Sequence, residues 1–179
     1  MPVLRWIFAA VGVAALAYIV IAFWPKPAVA TSWDTIAADA QPLVVTEVLS
    51  GDTVVLVSDR PGPQVAAWGT VTARLIGVDA PNFGIVSQCY AEEAQARLAS
   101  LLPEGSIAWV STDVTATDDG GRYLMYVWTE DGRLTNQLLA VDGYVKTQDP
   151  GDNDALWPQI QRAGSQAAAR FAGLWADCR

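Results

Sequence analysis

Only one helical run separates the strand-like segments of this chain. Val44 to Leu49 is rich in β-branched residues and reads as a strand. Ser50-Gly51-Asp52 makes a tight turn, and Thr53 to Val57 returns as a second strand. A proline-containing loop, Ser58 to Pro63, leads to a third strand within Val65 to Val78. Glu92-Glu93-Ala94 then opens a helix with Ala94, Leu98, Leu101 and Leu102 on one stripe, stopped by Pro103-Glu104-Gly105. Acidic residues in a first turn suit the helix dipole, an ordinary reason for Glu92 and Glu93. Ile107 to Val110 and Tyr123 to Trp128 are the fourth and fifth strands, joined through the turn Thr117 to Arg122. Asn136 to Val141 is a short helix ending near Gly143, and Thr147 to Asn153 is polar and irregular. Asp154 reads as the N-cap of a last helix with the stripe Leu156, Ile160, Ala163, Ala167 and Phe171, ended by Gly173. A parallel sheet needs a crossover between each pair of strands. The observed order therefore predicts an α+β fold: a five-stranded OB-type β-barrel with three packed helices, over residues 42–179.

Ahead of that domain, Trp6 to Trp24 carries no charge. As a helix it would be roughly 28 Å long, close to the hydrocarbon thickness of a bilayer. Trp6 and Trp24 stand where aromatic rings favour the interface, and Arg5 precedes the run, so the domain is expected outside the cytoplasm. Residues 1–24 read as a single-pass membrane anchor or a signal segment. Ala28-Val29-Ala30 resembles a cleavage site, but the apolar run is long for a signal peptide, which favours the retained anchor. Residues 25–41, with Pro25 and Pro27, read as a linker.

Beyond residue 30 there are nine cations against 19 anions, a net charge of −10. That opposes broad electrostatic binding of nucleic acid, but not a small pocket where a cation bridges protein and phosphate. The absence of histidine removes Ser-His triads and the usual zinc-binding imidazoles. The two cysteines, Cys89 and Cys178, are either buried thiols or a disulfide, and export favours the disulfide.

Three charged spots lie at strand ends: Asp52, the pair Arg74 and Asp79, and Arg122. Two carboxylates from different turns can hold one hard cation, and two guanidinium groups can clamp a phosphate. Taken singly, each residue is better explained by turn chemistry. As a set they are not anonymous. Gly51-Asp52-Thr53, Arg74-Leu75-Ile76-Gly77-Val78-Asp79-Ala80-Pro81, Gly121-Arg122 and Asn136 resemble the staphylococcal-type thermonuclease family, in its bacterial secreted or membrane-anchored branch. Cys89-Tyr90-Ala91-Glu92-Glu93-Ala94, Gly143-Tyr144 and Gly173 to Cys178 extend the resemblance to about residues 42–178.

The resemblance implies a Ca²⁺-dependent phosphodiesterase acting on DNA and RNA, and a Cys89–Cys178 bridge. It gives Asp52 and Asp79 the role of calcium carboxylates, with Ala80 ligating through its backbone carbonyl in place of the family's Thr. Arg74 and Arg122 become the phosphate-binding, transition-state-stabilising arginines, and Asn136 a structural residue. The departures cluster in the same place. Asn82 stands where the family has the Glu that orients or deprotonates the attacking water, and an amide cannot accept that proton. Ser50 replaces an Asp, Gly120 replaces a Tyr, Asp119 replaces a basic or polar residue, and Thr147 to Asn153 holds no tyrosine to stack on a base. Two functions follow. One is an exported, Ca²⁺-dependent nuclease of single-stranded DNA or RNA, monomeric and weakened at Asn82. The other is a catalytically inactive nuclease-fold protein that binds a ligand or partner at the cell surface.

Overall fold

The computed structural model describes residues 35–82, 84 and 86–178. The expected membrane segment over 1–24 and most of the 25–41 linker lie outside them. Among the described residues no helix is long and apolar enough to cross a membrane.

Strand β1 (Gln41–Val48) alternates buried and half-buried positions, which sends Leu43 and Val45 inward. The Ser50-Gly51-Asp52 turn returns the chain as β2 (Thr53–Ser58), antiparallel to β1, with a bulge between Val45 and Glu47. Strand β3 (Gly69–Leu75) pairs antiparallel with β2, from Ser58↔Gly69 at one end to Thr53↔Arg74 at the other. Strand β5 (Ile107–Ser111) pairs with β1, and β6 (Tyr123–Trp128) pairs with β5. One parallel pairing, Ala73↔Tyr123 to Leu75↔Met125, joins β3 to β6 and closes the barrel in the order β1-β2-β3-β6-β5. Its interior is filled by Leu43, Leu56, Leu75, Val110 and Met125, each at most 1 % exposed. Each such side chain stabilises the fold by about 1.5–3 kcal/mol relative to exposure.

The expected third strand does not run to Val78. It ends at Leu75, and Gly77 adopts φ +76. Val78–Asp79 then forms a short strand, β4, that leaves the barrel and pairs with β7 (Lys146–Thr147). A left-handed residue cannot continue a pleated strand, and only glycine adopts it without steric cost.

The expected helix over 92–102 is α1 (Ala91–Leu101), which buries Ala94 and Leu98. The second expected helix is α2 (Thr135–Asp142), closed by Gly143 at φ +77. The third, α3 (Trp157–Ala169), starts later than the Asp154 cap predicted. Pro158 occupies its first turn, and Asp154 contributes its carbonyl, which accepts the Trp157 N–H, rather than a side-chain cap. Ile160, Ala163 and Ala167 form the buried stripe, but Phe171 is not on it. Phe171 sits beyond the helix at φ +54 and is exposed, in a Schellman turn where Ala172 N–H reaches Ala167 O and Phe171 N–H reaches Ala168 O. A one-turn helix, α4 (Leu174–Asp177), follows, and Cys178 bonds to Cys89.

Candidate active site

The turn before β2, the end of β3 and the start of β6 lie at the same end of three adjacent strands. Asp52 precedes Thr53, which faces Arg74 across the β2–β3 ladder. Arg122 precedes Tyr123, whose partner on β3 is Ala73. Barrel closure therefore brings Asp52, Arg74 and Arg122 together from segments far apart in sequence.

Asp79 reaches them through the break at Gly77. On an unbroken strand Arg74 and Asp79 would lie about 17 Å apart on opposite faces. Instead Arg74 Nη2 donates to Asp79 Oδ1 at 3.0 Å. The bend is braced by Asn136, which is fully buried. Its Nδ2 donates to Ile76 O at 2.9 Å and Met125 O at 3.3 Å, while its Oδ1 accepts the Val127 N–H at 3.0 Å.

Asp52 is held from several sides. Ser50 Oγ and Thr53 Oγ1 each donate to its Oδ1 at 2.8 Å, and Ala80 N–H donates to Oδ2 at 3.3 Å. Ser50, which replaces a third carboxylate of the resemblance, thus orients Asp52 without adding charge. Arg74 Nη2 lies 3.6 Å from Asp52 Oδ2 as well as 3.0 Å from Asp79 Oδ1. Gly51 makes the arrangement possible: a Cβ there would stand 2.5 Å from the Ala94 Cβ and 2.8 Å from the Ala80 Cβ.

Arg122 has a partner that the sequence reading passed over. Asp118 Oδ2 accepts both Arg122 Nε and Nη2 at 2.7 Å, and its Oδ1 accepts the Arg122 and Gly120 N–H groups. Burial alone would push the Asp118 carboxyl up, but these hydrogen bonds and the guanidinium hold it below its ordinary range. The available signal was an Asp four residues before an Arg across a glycine turn.

These groups line a cleft of about 150 Å³: Ser50, Asp52, Thr53, Arg74, Asp79, Ala80, Pro81, Asn82 and Arg122. All six site residues expected from the sequence are in it. Asn82 is exposed there. Its N–H donates to Gln88 Oε1 and its carbonyl accepts the Gln88 N–H, both at 2.9 Å. An adjoining 200 Å³ cavity shares Arg74 and is walled by Leu75, Asp118, Leu124, Gln148, Asp149 and Asn153, with no aromatic ring. Asn153 fixes that wall by exchanging two hydrogen bonds with the Thr115 backbone, and its carbonyl accepts the Tyr126 hydroxyl at 2.7 Å. Burial pushes that phenol up to about 12.

The donor set fits a hard divalent cation. Two carboxylates converge on one positive centre, now the Arg74 guanidinium, and the Ala80 backbone lines the same cleft. Among the described residues no group of three or more His, Cys, Asp or Glu is gathered for a metal, so most of such a shell would be carbonyl and water. With Asp118 counted, three carboxylates face two guanidinium groups, a net charge of −1. A divalent cation would turn that to +1, the sign a phosphodiester requires.

A closed α+β barrel with such a cleft at one strand end defines a protein of the nuclease fold. Residues 72–177 match the family model described as staphylococcal nuclease homologue, and the chain belongs to that family. A comparison with curated proteins gives no match.

Proposed function

We propose that the protein is an exported, monomeric, Ca²⁺-dependent nuclease of single-stranded DNA or RNA, slowed by the amide at position 82. The observation that carries this reading is the convergence of Asp52, Arg74, Asp79 and Arg122 in one cleft. Asp52, Asp79 and the Ala80 carbonyl would hold the cation, which when bound supplies positive charge beside the phosphate. Arg74 and Arg122 present planar donor forks suited to two phosphate oxygens. Their charge favours the transition state, where negative charge builds on those oxygens. In hydrolysis a water oxygen bonds to phosphorus, the P–O ester bond breaks, and the leaving oxygen takes up a proton. Asn82 can hydrogen-bond that water but cannot take its proton. Loss of a general base commonly lowers a rate by about 10²–10⁴. The accessible Cys89–Cys178 bridge supports an oxidising location, anchored to or released from the membrane.

Asn82 also favours a second reading, a nuclease-fold module that binds but does not cleave. One experiment separates the two. Single-stranded DNA is incubated with the wild type and with Asn82→Glu, in Ca²⁺ and in chelator. We expect slow Ca²⁺-dependent cleavage by the wild type and a rate raised about 10- to 100-fold in Asn82→Glu. Cleavage by Asn82→Glu alone would replace the nuclease reading by the binding one. Inertness of both would deny the cleft a hydrolytic role.

A further inference from the structure

Beyond the Asp79-Ala80-Pro81 wall of the cleft lies a second cavity of about 260 Å³, which shares those three residues and adds Gln88, Lys146 and the Cys89–Cys178 disulfide. Lys146 is exposed on β7, directly opposite Asp79 in the β4–β7 ladder. Opposite charges at such a position ordinarily pair. Here Asp79 gives its Oδ1 to Arg74, and Lys146 has no carboxylate within 4.0 Å among the described residues. Arg60, Arg74, Arg97, Arg122 and Arg133 all have one, whereas Arg162 and Arg170, at α3 and away from the cleft lining, lack one as Lys146 does. Gln88 holds its amide by accepting the Asn82 N–H through Oε1, while its Nε2 has no acceptor among the described residues. Among the described residues, an ammonium with no carboxylate and an amide donor with no acceptor thus line one cavity in a strongly acidic domain. The cavity is roomy, several times the roughly 30 Å³ that a water occupies in the liquid. Its lining draws on both the β4–β7 ladder and the disulfide.

We propose that this cavity is a second anion subsite, taking the phosphate next to the one held by Arg74 and Arg122, with Lys146 as its binding cation. It rests on the nuclease-cleft reading for the placement of the first phosphate. It makes the ligand an oligonucleotide with at least two linkages, because each filled subsite adds a phosphate contact that a single diester cannot make. Asp79 couples the two subsites: while its carboxylate is engaged by Arg74, or by the cation once one is bound, Lys146 stays free for the second phosphate.

The test uses the full chain in Ca²⁺ and two ligands, thymidine dinucleotide and trinucleotide with hydrolysis-resistant phosphorothioate linkages. Affinities are measured by calorimetry across a salt series. The wild type should favour the trinucleotide about fivefold or more, above the statistical factor of about two for an extra linkage. Lys146→Ala should bring that preference down to about the statistical value and flatten the trinucleotide salt slope by about 0.7. Lys146→Arg should keep the preference. Arg60→Ala, which removes a cation at the far end of β2 from Asp52, should leave it unchanged. An unchanged preference in Lys146→Ala, or no trinucleotide binding by the wild type, overturns the subsite. Lys146-dependent binding without any cleavage of single-stranded DNA would reject the hydrolytic reading and leave the subsite standing.

Discussion

At the scale of single residues, the cleft is governed by which groups already have partners. Asp52 is fixed by two hydroxyls and one N–H, Arg122 by Asp118, and Arg74 by two carboxylates. Asn136 is the least replaceable, since three backbone groups from Ile76, Met125 and Val127 bond to its carboxamide. Asn136→Ala would take away the partner of the Ile76 carbonyl and of the Val127 N–H, while the Met125 carbonyl keeps the Ile76 N–H, so we expect a loss of about 2–4 kcal/mol in chemical denaturation. The charged residues of the cleft were legible in the sequence because their types and spacings carry the chemistry directly. Asp118, Gln88 and Asn153 were not. Their roles come from partners set by the turn at 118–122 and by the loops at 82–88 and 148–156, and no local pattern encodes those pairings.

At the scale of elements, the decisive event is the break between β3 and β4. Residue types predicted the apolar run correctly, and periodicity alone could not show that it passes from the barrel into a separate two-stranded ladder. The sign was Gly77, which looks innocuous inside an apolar run. With φ +76 and a Cβ position 3.3 Å from the Trp157 ring, Gly77→Ala is strained in both backbone and packing. We expect it to cost about 1–2 kcal/mol by urea denaturation, with the protein still folded. The start of α3 was misread for a related reason. Asp154 has the chemistry of a cap, but Pro158 sets where the helix can begin, and the Asn153 carbonyl and the Ala155 N–H on either side of it are spent on Tyr126 and Asp113.

At the scale of the whole molecule, the bridge between Cys89 and Cys178 spans 89 positions and ties the segment after β4 to the chain beyond α4. Replacing both cysteines by Ser should lower stability by about 4–5 kcal/mol in the chain-entropy account, read as the difference between denaturation curves. A thiol count on denatured, unreduced protein should give zero. The five-stranded barrel was legible as a class because a single crossover helix leaves few ways to close a sheet, whereas the location of its seam was not. That seam is the parallel pairing of β3 with β6. Asp52 and Arg74 belong to a local hairpin, which can form on a microsecond timescale, but Arg122 joins them only when strands about fifty positions apart meet. During synthesis the emerging chain therefore carries a hairpin with Asp52 and Arg74 in place and no second arginine to complete a phosphate clamp. The cleft gains its second arginine when β6 arrives and the barrel shuts, and its Asp79 wall when β7 pairs with β4.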